Sequence, residues 1–97
     1  MSAVVLKYPL TLTEQQTLAI PHHARILSAQ IQREKLCVWA LVDPLRRNET
    51  ESRQVVICGT GHSVDEMVPL SYDFIDTVQQ GAFVWHVFAE SRRGWSA

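Results

Sequence analysis

The sequence predicts a small, mainly β, single domain: an antiparallel sheet, curled or barrel-like, with at most one or two short helical turns. Three observations lead there. Turn-forming residues punctuate the chain at Pro9, Pro21, Pro44, the polar run 46–53, Gly59, Gly61, Pro69 and Gly81. Between these marks lie short runs rich in Val, Ile, Leu, Trp and Phe, the composition of strands. Helical signals are few and lack an apolar stripe at helical spacing.

In chain order, strands are expected at Val4–Leu10, Gln16–Ile20, Ile26–Gln32, Leu36–Asp43, Arg53–Gly59, Tyr72–Gln79 and Ala82–Glu90. The third shows the cleanest alternation, with Leu27, Ala29 and Ile31 on one face and Ser28, Gln30 and Gln32 on the other. Arg33-Glu34-Lys35 then makes a charged three-residue turn into Leu36, although no Gly supplies a left-handed residue. The fourth strand, LCVWALV, is apolar on both faces. Leu36, Val38, Ala40 and Val42 oppose Cys37, Trp39 and Leu41. The last strand repeats this, with Phe83, Trp85, Val87 and Ala89 opposite Ala82, Val84, His86 and Phe88. Such strands need cover on both sides, either from a curled sheet with a loop or helix outside it or from a second copy of the protein. A homo-oligomer is therefore expected. Thr13-Glu14-Gln15-Gln16 has the spacing of a capping box without a helix to follow. Ser63–Val68 is expected to form one turn, capped by Ser63 with Glu66 at its third position and ended by Pro69.

The 97 residues are expected to form one domain, with 91–97 a frayed tail on which Trp95 needs a docking place. The charge balance, 9 Lys+Arg against 10 Asp+Glu, argues against a general nucleic-acid binder, which needs surplus cations to displace counterions. No run approaches the length of a membrane span, and MSAVVLKYPL lacks the basic and apolar segments of a secretory signal. Cys37 and Cys58 each lie in an apolar run and read as buried free thiols of a cytoplasmic protein.

The stretch Gly59-Thr60-Gly61-His62-Ser63 carries the most chemical suggestion. Consecutive backbone N–H groups in a glycine turn can cradle an anion, with His62 assisting. It lacks the lysine of a phosphate-binding P-loop, and an ordinary tight turn accounts for the same residues. Arg46, Arg47 and Arg53 could pair with phosphate, but Glu49 and Glu51 share their loop and make a solvated connection the favoured account. Trp39, Trp85 or Tyr72 could stack a base. His22-His23, taken as strand neighbours, would point to opposite faces and could not share a metal. No histidine or cysteine has a ligand partner at metal spacing, so neither metal nor cofactor is expected. No nucleophile elbow or base pairing appears in the sequence, and His86 in FVWHVF reads as a hydrogen-bonded core or interface residue.

Together, Lys7-Tyr8-Pro9-Leu10, Ile26-Leu27-Ser28, Trp39 to Pro44, Gly59 to His62 and Gly81 to Phe88 give a chain that resembles a family of small uncharacterised bacteriophage and prophage proteins over roughly residues 6–89. The resemblance implies an accessory protein of the host bacterial cytoplasm and carries no activity. Two functions follow as expectations. One is non-catalytic sequestration of a small, nucleotide-like anion by Gly59, Thr60, Gly61, His62, Ser63, Arg46, Arg47, Arg53, Trp39 and Trp85. The other is inhibition of a host defence protein through a protein–protein surface. Neither involves nucleic acid or a membrane.

Overall fold

A computed structural model describes residues 2–91. Seven strands dominate: β1 (Val4–Pro9), β2 (Gln15–Pro21), β3 (Arg25–Gln32), β4 (Lys35–Val42), β5 (Thr50–Gly59), β6 (Tyr72–Gln80) and β7 (Phe83–Glu90). A 3-10 turn occupies Pro44–Arg46, and one helical turn, α1, spans Val68–Ser71. The mainly β expectation holds, and each anticipated strand is present within a few residues of its expected bounds. The largest shift is at β5, which starts at Thr50 because the polar segment pairs with the end of β2 (Pro21 opposite Thr50).

Two antiparallel sheets form, in the orders β1-β4-β3 and β2-β5-β7-β6. The inward faces of β4, β5 and β7 supply the core. Val38, Val55, Ile57, Val78 and Val87 pack between the sheets, with Trp85, Tyr8 and Ile31 at the margin. Ile20, Ala24, Ala40 and Val42 form a smaller cluster. The sheets meet where β3 runs beside β6 in the same direction. The Ala29 N–H donates to Asp76 Oδ2 (3.2 Å), and Gln80 Nε2 donates to the Glu34 carbonyl (3.0 Å). Side chains thus bridge this seam where strand neighbours would use a ladder.

Several local expectations are corrected. The register slips between Ile26 and Ser28, so Leu27 sits on a bulge and is 43% exposed, while Ile26 joins Ala29 and Ile31 at the core. A bulge inserts one residue and reverses the alternation beyond it. The β3–β4 connection is two residues long, since Gln32 already faces Lys35. Arg33 and Glu34 have φ of 50° and 67°, the pattern of the I′ turn that matches strand twist. Both are non-glycine residues in a region glycine fills at less cost. Glu34→Gly is therefore expected to raise stability by about 0.5–1 kcal/mol, read as a higher melting temperature.

Thr13–Gln16 opens β2 and forms no helix. Gln16 ties the preceding turn instead, donating from Nε2 to the Thr11 carbonyl (2.7 Å) and accepting from Thr11 N–H (3.1 Å). Pro69 stands in the first turn of α1, where a missing N–H costs nothing, so the helix begins where it was expected to stop. Ser63 caps nothing; the Asp65 carboxylate accepts from Met67 N–H (2.8 Å). His22 and His23 lie in a tight turn, not on a strand. His23 has φ 63°, the rings are 5.7 Å apart, and His22 Nδ1 contacts Glu51 Oε1 at 3.0 Å.

The doubly apolar strands divide as read. Leu36, Val38, Ala40 and Val42 are buried, while on the outer face Cys37 is buried and Trp39 and Leu41 are half-buried. Of residues 91–97, Ser91 donates its N–H to the Ser71 carbonyl (3.0 Å). The frayed-tail reading otherwise concerns 92–97, which lie outside the described residues, as does Trp95. No helix among the described residues is long and apolar enough to cross a membrane.

Candidate functional site

The recess at the end of β5 arises because β5 outruns β2. The last bond between them takes Ile57 N–H to the Glu14 carbonyl (3.0 Å), after which the chain before β2 turns away through Leu12 and Thr13. Beyond that point, among the described residues, Cys58 and Gly59 continue without a paired strand on that side. The chain then reverses. His62 N–H donates to the Gly59 carbonyl (3.0 Å) and Gly61 takes φ 86°, the arrangement of a type II turn with glycine at its third position. The returning segment leads into α1, whose Val68 is 3% exposed. On the far side, Trp85 of β7 lies opposite Gly59.

These pieces enclose a cavity of ≈ 210 Å³ whose lining includes Leu12, Glu14, Cys58, Gly59, His62, Ser63, Asp65, Val68 and Trp85. Gly59 is required there by space. A Cβ on it would stand 3.0 Å from His62 Nδ1 and 3.4 Å from a Trp85 ring carbon, so the imidazole lies against bare backbone. The Trp85 indole is fixed by its Nε1–H donating to Gln80 Oε1 (3.1 Å), and Phe83 stacks on it at 5.5 Å and 15° with 62% of its surface exposed.

Of the ten residues named from sequence, this recess gathers Gly59, His62, Ser63 and Trp85. Thr60 belongs to the same turn, but its hydroxyl faces the outer side of the sheet. It meets His86 Nε2 at 2.7 Å, and His86 Nδ1 meets the Thr77 hydroxyl at 3.0 Å. Both ring nitrogens of His86 are thus engaged, as expected of a hydrogen-bonded residue within the sheet. Gly61 shapes the turn without lining the cavity. Two of the backbone donors expected to cradle an anion are spent within the fold, Thr60 N–H on the Val84 carbonyl (3.3 Å) and His62 N–H on Gly59.

The arginines are elsewhere. Arg53 lies six positions before Gly59 along β5, roughly 20 Å at strand rise, and is 3% exposed. Its Nη2 and Nε contact Glu51 Oε2 at 2.9 and 3.3 Å, and Nη2 donates to the Ala24 carbonyl (3.1 Å). Arg46 forms long, exposed ion pairs with Asp43 (3.8 Å) and Glu49 (3.7 Å), of a kind that contributes little. Arg47 borders a shallow depression with Leu6, Tyr8, Ala19 and Pro21, where burial pushes the Tyr8 phenol up and the charge of Arg47 pulls against it. Trp39 sits on the outer face of the other sheet, between Lys7 and Ser28.

Sequence reasoning missed Leu12, Glu14, Asp65 and Val68. They come from turns whose course no local pattern announced. Cys58, also in the lining, has its thiol pushed up by burial, which keeps it protonated at neutral pH and disfavours nucleophilic attack. Among the described residues no group of three or more His, Cys, Asp or Glu is placed to hold a metal ion.

Gly61→Val is expected to lower stability by about 1–3 kcal/mol, because a β-branched residue resists positive φ. His62→Ala is expected to leave the melting temperature unchanged. Thermal melts of the two variants, read side by side, check this.

Fold and recess together define a small all-β module with an apolar, acid-lined cavity at a strand end. The chain belongs to the family described as a domain of unknown function, DUF7352, whose model matches residues 1–97. No curated protein and no solved structure matches it.

Proposed function

We propose that the chain is a non-catalytic binding module that takes a segment of a protein partner, rather than a small anion, in the cavity at the end of β5. The observation that carries this is the charge of the lining. Among the described residues it is lined by Glu14 and Asp65 beside Leu12, Val64, Val68, Trp85 and His62, with no Lys or Arg. A phosphate entering it would lose water and gain two negative neighbours. The exposed Phe83 stacked on Trp85 supplies an aromatic anchor of the kind that dominates protein interfaces. Blocking a host defence protein in the bacterial cytoplasm is the form of this reading that the phage resemblance suggests.

Native mass spectrometry of the protein purified from bacterial cells is expected to show a retained protein and no retained nucleotide. Trp85→Ala is expected to lose the partner. A nucleotide bound stoichiometrically to the wild type, and lost in that variant, would restore the small-anion reading.

Self-association belongs to the same proposal. The outer face of the three-stranded sheet carries exposed Val5 and Leu27 beside half-buried Trp39 and Leu41. Light scattering at high micromolar concentration is expected to give a dimer or larger species, and Leu41→Glu a monomer. A monomeric wild type would end this part of the proposal.

A further inference from the structure

We infer that the open seam between β1 and β2 is a second binding site, which takes a small oxyanion, a carboxylate or phosphate on an apolar carrier, with Arg47 as its counter-ion. The two sheets meet along β3 and β6, and their other edges, β1 and β2, do not pair. Between those edges lies a shallow depression of ≈ 330 Å³, at the lower end of the range of ligand pockets. Its lining includes Leu6, Lys7 and Tyr8 of β1, Ala19 of β2, and Arg47 and Thr50 where the chain enters β5. It shares no residue with the cavity at the end of β5.

The state of Arg47 carries the inference. Three carboxylates stand near it in the chain, and each is taken by another base. Asp43 and Glu49 pair with Arg46, and Glu51 pairs with His22 and Arg53. Arg47 is left without an ion pair among the described residues. Its charge acts on the depression instead, where it pulls down a Tyr8 phenol that burial pushes up. No carboxylate is in the lining among the described residues. An entering anion therefore meets a guanidinium and no negative neighbour, the reverse of the cavity at the end of β5. The planar fork of arginine matches the oxygens of a carboxylate or phosphate.

Neutral donors stand around the same depression. Leu10 N–H donates to the Leu36 carbonyl (2.8 Å), and the register of β1 on β4 runs without a shift. Backbone groups of an antiparallel strand alternate sides, so Leu6 and Tyr8 turn theirs to β4 and the Lys7 N–H points off the edge. On β2 the same phase is set at both ends, by Ile57 N–H on the Glu14 carbonyl and His22 N–H on the Glu49 carbonyl, and the Ala19 N–H points away from β5. Pro9 and Pro21, which have no N–H, occupy the outward phase of these two edges, the place an edge strand allows them. The Lys7 ammonium is held by Gln32 Oε1 (2.7 Å), so this residue offers its backbone. Tyr8 and Thr50 add hydroxyls, and Leu6 and Ala19 add apolar surface for the carrier. A site this open is screened by salt and holds its anion in the millimolar range, so it empties during purification.

The probes are phenyl phosphate and benzoate, each titrated into the full chain at constant ionic strength and followed by amide NMR, with benzyl alcohol as the neutral control. Saturable binding of at least one anion is expected, with the Lys7 and Ala19 amides moving, and the tighter of the two names the oxyanion. Benzyl alcohol is expected not to saturate. Arg47→Ala is expected to weaken the anion about tenfold, and Arg47→Lys, which keeps the charge and loses the fork, to weaken it by less. Arg46→Ala removes the same charge from the neighbouring position and is expected to leave the affinity within about twofold, since Arg46 is already paired. Arg47 is exposed, so its variants are expected to melt like the wild type. Absence of saturation by both anions, Lys7 and Ala19 amides unmoved at saturation, equal affinity for benzyl alcohol, or an equal loss in Arg46→Ala and Arg47→Ala would each overturn the inference.

Discussion

Replacing Arg53 by alanine is expected to destabilise the chain by about 3 kcal/mol, the lower end of the cost of breaking a buried ion pair by removing one partner. The lower end applies because Glu51, left behind, keeps its contact with His22 (3.0 Å). The Arg53 side chain is 4% exposed and forms a two-pronged pair with Glu51 while donating to the Ala24 carbonyl. Its loss takes the guanidinium from a carboxylate that is 16% exposed and the donor from the Ala24 carbonyl in the turn before β3. For a domain of this size each kcal/mol is worth roughly 4–8 °C of melting temperature, so a fall of at least about 12 °C is expected. The paired variant Arg53→Met with Glu51→Leu should recover most of it, since apolar replacement of both partners removes the uncompensated charge. An arginine serving as an exposed ligand contact would behave in the opposite way, with Arg53→Ala melting like the wild type. Thermal melts of the three proteins decide between the two roles.

The buried role of Arg53 was in fact legible. Period-two alternation puts it in phase with Val55 and Ile57, and a charged residue in phase with buried positions signals an internal ion pair. The same alternation speaks against the expected grouping of Arg53 with the glycine turn, because Arg53 stands six residues before Gly59 on one extended strand. The strands themselves were readable because β-branched and aromatic runs alternate with turn residues over the whole described chain. Half of the recess was readable for a similar reason: Gly59, His62 and Ser63 are neighbours in sequence. The remainder was not. Leu12, Glu14, Asp65 and Val68 reach the cavity through irregular turns, whose course is set by single hydrogen bonds such as Asp65 to Met67 N–H and Gln16 to Thr11. The two bulges also left no mark. An extra Leu27 or Ile75 looks like any other strand residue, and only the partner strand shows that the register has slipped.

The bulge at Ile75 sets up the other large effect, an expected loss of about 2–3 kcal/mol on replacing Asp76 by alanine, near the upper range for leaving a buried donor unpaired. Phe74 faces outward and packs edge-on against Phe88 (5.7 Å), so in a regular strand Asp76 would face outward too. The register shift between Phe74 and Asp76 reverses this and aims the carboxylate at β3. There Oδ2 accepts from the N–H of Ala29, a residue with no exposed surface, and from Gln30 Nε2 at 3.4 Å, while Oδ1 accepts from Thr77 N–H at 3.0 Å. Asp76 thereby takes the place of a strand carbonyl at the seam between the sheets. Alanine leaves the Ala29 donor buried without an acceptor and opens the seam to water. Asparagine keeps an acceptor oxygen in the same position and is expected to cost less than half as much. Amide exchange gives the local readout: the Ala29 N–H should lose protection in Asp76→Ala well beyond the change in global stability, and retain most of it in Asp76→Asn. Equal protection of Ala29 in the wild type and the alanine variant would show that the sheets are held together by the apolar core alone, with the carboxylate bridge incidental.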